Sequence, residues 1–213
     1  MLFFSHRYRT VECAGLVATF ATPTPTLAEQ VESFTGEKEL LVDFLATLRE
    51  GDVVWDVGAG YGLYAIFAAR RLGAPGLIFA FEPGERITGV FMKNLRVNQA
   101  SAVRHLPLAL GAADGRAAMF EPDSPNAGTG SLADRSDYRV RRREEDVQVR
   151  SGDGLVESGT LPAPTVMKID TEGAEGRILA GIRAEAVFKI FDPTLLAQEE
   201  KGEKRGGFIA FGH

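Results

Sequence analysis

The segment Val53-Val54-Trp55-Asp56-Val57-Gly58-Ala59-Gly60-Tyr61-Gly62-Leu63 confines this chain to few folds. An apolar run with one acid in it breaks into three glycines at alternate positions, then resumes as an apolar helix. A strand entering a glycine-rich turn before a helix N-terminus is a place for part of a nucleotide, because glycines allow sharp turns and close ligand approach. The acid restricts the reading further. Asp56 would repel a pyrophosphate, which points to a nucleoside-like ligand that is cationic at that end.

The surrounding pattern extends this unit into a sheet. Glu37 to Glu50 reads as a helix with Leu40, Leu41, Phe44, Leu45 and Leu48 on one stripe. Val53 to Val57 is a core strand, Tyr64 to Leu72 a helix, Leu77 to Phe81 a second apolar strand, and Ile87 to Asn98 a third helix. Ala102 to Leu110 is a strand or strand pair, and Thr165 to Ile169 a further core strand before a helix at Gly176 to Ile182. Apolar strands without alternation need both faces covered, so the expected fold is α/β and Rossmann-like: a mostly parallel sheet with helices on both faces. The rest is less regular. Val11 to Phe20 reads as a strand pair or extended arm, and Thr22 to Thr26, with two prolines, as a stiff connector. Asp114-Gly115 is a turn before Ala117 to Phe120, Pro122 to Ser131 a loop, and Arg139 to Asp146 a solvated charged segment. Val187 to Phe191 and Gly207 to Phe211 are short strands flanking the charged Gln198 to Arg205.

At 213 residues the chain is long enough for one α/β domain and too short for two. The expected division is an N-terminal arm or strands over 1–30 and a single domain over 31–213. A net charge of -5 gives no electrostatic case for nucleic-acid binding. Cys13 is the only cysteine, which excludes an internal disulfide and a thiolate metal site. Met1 to Phe4 is apolar but is interrupted by His6, Arg7 and Arg9, so neither a membrane span nor a signal peptide is expected, and the expected location is cytoplasmic.

A dinucleotide fingerprint spaces its glycines G-x-G-x-x-G, with an acid about 20 residues later. Here the third glycine comes one residue early. Asp56 lies near the strand's carboxyl end, where open α/β sheets bind ligands, and can meet an ammonium group or hold loop amides. Glu82 ends the second strand, where a carboxylate can accept hydrogen bonds from both hydroxyls of a ribose. Asp56, the glycines and Glu82 together suit S-adenosylmethionine, with an ammonium at one end and a ribose at the other. The rival is NAD, for which Glu82 is also at the right distance; Asp56, the shifted glycine and the short chain stand against it. Further along, Asp170 and Glu172 share one face of an extended strand and should emerge beside the glycine turn. They are the candidate catalytic pair, able to deprotonate or orient a hydroxyl, with Asp170 first. A carboxylate pair can also hold a divalent cation, but no metal is expected. Glu175 reads as a carboxylate at a helix N-terminus, His105 as a weaker base candidate whose commoner role is structural, and Asn126 as part of a loop that is either a lid or an ordinary connection.

The runs Trp55-Asp56-Val57-Gly58-Ala59-Gly60-Tyr61-Gly62, Ala80-Phe81-Glu82-Pro83 and Met167-Lys168-Ile169-Asp170-Thr171-Glu172-Gly173-Ala174-Glu175 together resemble the FkbM family of S-adenosylmethionine-dependent methyltransferases. Phe34-Thr35-Gly36-Glu37 and Leu106 to Gly115 add to the likeness, which runs from about Val11 to Gly181. The resemblance implies O-methylation of a hydroxyl on a sugar, glycolipid or natural-product acceptor. It implies a cofactor set of Glu37, Asp56, Gly58, Ala59, Gly60, Gly62, Glu82, Leu110 and Gly111. In that set Asp56, Gly58 and Gly60 hold the methionine end, Glu82 the ribose, and residues near Leu108 to Ala112 the adenine. Gly60 departs from the pattern, which commonly has Asn there. Residues 182–213 depart too, since no usual strand ending in an acid can be placed after Gly181. That departure keeps open a methyltransferase-like binding protein without activity.

Overall fold

The computed structural model describes residues 8–73, 76–122, 142–171, 173–182, 189–191 and 209–210. Its centre is a six-stranded sheet. In spatial order it runs β11 (Ile209–Ala210), β10 (Lys189–Phe191), β9 (Val166–Ile169), β3 (Val53–Val57), β4 (Leu77–Phe81) and β5 (Val103–Leu106). All neighbours in it are parallel except β10 and β11. This is the Rossmann-like α/β fold expected from the strand–turn–helix repeats.

Alternation along β3, β4 and β9 divides the interior into two cores. Val54, Ile78, Ala80 and Val166 face one, where they meet Leu27 and Val31 of α1 (Pro25–Ser33), Leu41 and Phe44 of α2 (Lys38–Thr47), Ile66 and Phe67 of α3 (Leu63–Leu72) and Phe91 of α4 (Glu85–Val97). Trp55, Val57, Phe79, Phe81, Met167 and Ile169 face the other, with Leu155 of α5 (Gly152–Glu157) and Ile178 of α6 (Glu175–Ala180). Both sheet faces are thus covered by helices, as wholly apolar parallel strands require.

Two local expectations need correction, and a third, the strand or strand pair from Ala102, is resolved as two strands. The segment at Thr22 to Thr26 is not simply a connector, because Pro25 opens α1. Thr24 is its cap and accepts a hydrogen bond from the Leu27 amide at 3.2 Å. Proline's fixed φ and missing N–H suit the first helical position, where that donor has no partner anyway. The run from Ala102 to Leu110 breaks at Pro107 into β5 and β6 (Ala109–Gly111), which join different sheets. The charged run ending at Asp146 is, from Arg142, part of β8 (Arg142–Ser151). This strand pairs with β6 and, antiparallel, with β7 (Gly115–Pro122). Glu144 and Asp146 are exposed while Glu145 and Val147 are buried, so strand alternation hides inside a run whose charge suggests plain solvation. The N-terminal strand pair is a hairpin of β1 (Tyr8–Cys13) and β2 (Leu16–Ala21).

Candidate active site

The carboxyl ends of β3, β4 and β9 open on a cleft of about 320 Å³, the lower end of the usual range for small-molecule sites. Its floor is the glycine turn. Gly58 and Ala59 donate their amides to the Phe81 carbonyl at 3.0 and 3.1 Å, which ties the turn to the end of β4. Gly58 has φ +76, and a Cβ there would lie 2.0 Å from the Asp170 carbonyl oxygen. Gly62 has φ +92, and a Cβ there would lie 2.4 Å from the Phe91 ring. The outer two glycines are therefore demanded by the protein's own packing. Gly60, at φ 55, is left-handed as well, a conformation in which Asn is the side chain most readily tolerated after glycine.

Glu82 lies on the cleft wall and is buried, with 7% exposure. One carboxylate oxygen accepts the Gly60 amide at 2.8 Å and the other the Gly84 amide at 2.9 Å. The two bonds fix the plane of the carboxylate against the turn. The apolar part of the wall is Phe81, Pro83, Ala109, Leu110 and Met119.

Asp56 takes a different position from the cleft residues. Its neighbour in the parallel register between β3 and β9 is Lys168, and both point to the α3 side of the sheet. Asp56 is fully buried and does not line the cleft. One oxygen accepts the Ala65 amide at 3.0 Å in the first turn of α3. The other is 3.8 Å from Lys168 Nζ. Burial raises the Asp56 pKa, against the pull of Lys168 and the Ala65 bond.

Lys168 connects Asp56 to the cleft. Its Nζ donates to Asp170 Oδ2 at 3.2 Å and sits 4.7 Å from the centre of the Tyr64 ring. Burial opposes its charge, but Asp170, Asp56 and Glu37 together outweigh that and raise its pKa. The Tyr64 hydroxyl donates to Glu37 Oε2 at 2.9 Å. The Glu37 pKa is raised, chiefly by burial. Burial, then the nearby Glu37, pushes the Tyr64 and Tyr61 phenols well up, so both stay protonated. Among the described residues, three carboxylates, Glu37, Glu82 and Asp170, line the cleft, with Lys168 as the one lysine or arginine beside them. A cation is the ligand such a wall attracts.

Gly58, Ala59, Gly60, Glu37, Glu82, Leu110 and Asp170 thus share one cleft, whereas Asp56, Gly62 and Gly111 stand behind its lining. Glu172 and Asn126 lie outside the described residues. His105 Nε2 is 2.9 Å from the Glu82 carbonyl oxygen and its ring meets Phe91, so it braces the end of β4. Glu175 accepts the amides of Thr171 and Gly173 and the Thr171 hydroxyl, closing the turn before α6. Lys168 and Tyr64 are functional neighbours of the cleft that no sequence motif singles out. The available signal was a lysine inside an apolar strand at the same depth as Asp56 in its neighbour. Gln30, Thr35 and Tyr61 also line the cleft. Among the described residues no group of three or more His, Cys, Asp or Glu is placed to hold a metal ion. No described helix is long and apolar enough to cross a membrane.

A parallel sheet with a glycine turn and a cleft at its carboxyl edge defines the class of α/β proteins that bind ligands at strand ends. Residues 56–211 match the Methyltransferase FkbM domain, and the chain belongs to this family. The match continues well past Gly181, where the motif likeness stops. Hexuronic acid methyltransferase AglP of Haloferax volcanii is 30% identical over 173 residues, covering 80% of this chain and 66% of that protein. Methyltransferase 1 of Beauveria bassiana is 26% identical over 166 residues, covering 70% and 66%. The chain therefore spans 66% of the length of each of these relatives. Among solved structures, precorrin-6Y C5,15-methyltransferase of Geobacter metallireducens superposes with a TM-score of 0.43 at 18% identity, over 77% of this chain and 68% of that one.

Proposed function

We propose that this protein transfers a methyl group from S-adenosylmethionine to a hydroxyl of a sugar, glycolipid or natural-product acceptor. The observation that carries the reading is the cleft itself: a glycine turn, a Glu82 carboxylate fixed by the Gly60 and Gly84 amides, and three lining carboxylates against one lysine. Those residues fit the cofactor. Glu82 is a ribose acceptor, the acid wall suits a sulfonium and an ammonium, and Leu110, Ala109 and Met119 offer an apolar face to a base. The name of the Haloferax volcanii relative makes a hexuronic acid the first acceptor class to test.

The cofactor supplies a methyl carbon activated by its sulfonium. The protein's part is alignment of an acceptor oxygen about 3 Å from that carbon. Asp170 has a side chain one-third exposed, at 33%, and ion-paired to Lys168. In this reading it accepts the hydrogen bond of the acceptor hydroxyl, orients it and draws its proton, with Glu172 as the second carboxylate.

Calorimetry tests the assignment. S-adenosylhomocysteine should bind the intact protein, and Glu82→Ala should weaken it by tens- to about a hundredfold, a net loss of roughly 1.5–3 kcal/mol. No binding at millimolar ligand, or binding of NAD(H) in its place, rejects it. Labelled S-adenosylmethionine with hexuronate-containing glycans and other hydroxylated acceptors then identifies the product.

A further inference from the structure

Asn94 is a polar side chain with no exposure on the core-facing side of α4. Its Oδ1 accepts the Ala21 amide at 2.7 Å and its Nδ2 donates to the Tyr61 carbonyl at 2.9 Å. Ala21 ends the N-terminal hairpin; Tyr61 sits between Gly60 and Gly62 in the turn. One residue therefore joins the hairpin to the floor of the cleft. Asn98, one helical turn on, treats the hairpin alike. It accepts the Thr19 amide at 2.9 Å and donates to the Thr19 carbonyl at 2.6 Å. The geometry explains the pairing: four residues of helix rise about 6 Å and two residues of strand about 6.7 Å, so i and i+4 on α4 reach alternate residues of β2. The two asparagines take the place of a neighbouring strand along β2, which among the described residues pairs with β1 alone. Only Asn94 also reaches the turn. Phe91, one helical turn before it, presses on Gly62.

We infer that Asn94 is a positioning residue for the cofactor turn, and that the N-terminal hairpin, which lies before the family match at residues 56–211, is through it a working part of the site. The inference rests on the proposed reading of the turn as an S-adenosylmethionine element. With Nδ2 holding the Tyr61 carbonyl, the neighbouring Gly60 amide is aimed at Glu82, and the carboxylate that would take the ribose is fixed in turn.

Two matched substitutions test it. Asn94→Asp keeps the acceptor for Ala21 and removes the donor to Tyr61. Asn98→Asp loses a donor to the same hairpin without touching the turn. Asn94→Asp should weaken S-adenosylhomocysteine about tenfold or more and speed exchange of the Gly60 and Gly62 amides, while Asn98→Asp stays within about twofold of wild type at a comparable loss of melting temperature. Equal affinities in the two variants overturn the inference. If Asn94→Asp does not fold, the wild type decides. Coupling is reciprocal, so saturating S-adenosylhomocysteine should slow exchange of the Ala21 amide, and an unchanged rate overturns the inference. A wild type that binds no S-adenosylhomocysteine rejects the proposed function instead, and glycine-turn exchange in the two variants still decides whether Asn94 holds the turn.

Discussion

At Lys168 an ammonium with 3% exposure stands between Asp56 and Asp170, and its removal leaves a fully buried carboxylate without its counter-charge. Breaking a buried pair from one side costs about 3–5 kcal/mol. Lys168→Met should show a loss of that order in urea unfolding at neutral pH, and adding Asp56→Asn should recover part of it. The deficit should narrow as pH falls. Burial already raises the Asp56 pKa, so its folded form holds the proton more tightly than the unfolded chain and gains stability on acidification. Gly58 is constrained in another way. A methyl group 2.0 Å from the Asp170 carbonyl must push β3 and β9 apart. Gly58→Ala should lower unfolding free energy by about 1–3 kcal/mol and weaken S-adenosylhomocysteine in calorimetry. Both residues sit in motifs visible in the sequence, yet the glycine spacing that reads as a ligand signature owes its first and third members to Asp170 and Phe91. The pairing of β3 with β9, from a distant part of the chain, is invisible to a local pattern.

At the scale of elements, the apolar core strands and the amphipathic helices were legible because each declares itself by period and punctuation. The missed or misread elements share a physical cause. In α1 the two prolines outweigh a helical reading until Thr24 is seen as a cap, and Thr24→Ala should lower stability by about 1 kcal/mol, measurable as a shift in melting temperature. In β8 the charges of Glu144 and Asp146 mask an alternation that appears only when β7 supplies the partner. Asn94 interrupts the apolar stripe of α4 and Asn98 caps its end, and nothing local says that they face a hairpin 73 and 79 residues away.

For the whole molecule, the central sheet with a core on each face puts the described carboxylates of the cleft, Glu82 and Asp170, just past strand ends and Glu37 just before a helix. The acid limb of stability is set partly at Glu175. Desolvation opposes its charge, but the amides of Gly173 and Thr171 win and lower its pKa below the ordinary 4.5. A depressed acid contributes stability above its unfolded pKa and loses it as pH falls through the folded value. Glu175→Gln should therefore flatten the stability profile below about pH 4.5, read by thermal melts between neutral pH and pH 3.

The Asp56–Lys168 pair has a consequence for how the chain reaches its fold. Side chains alternate along a strand, so a slip of β9 by one residue against β3 would turn Lys168 toward Trp55 and Phe81 and set Met167 against Asp56. Such a chain would bury the Lys168 amine among aromatic rings away from both of its carboxylates, a cost of several kcal/mol. The pair that holds Asp170 therefore also favours the one strand alignment in which the cleft is assembled.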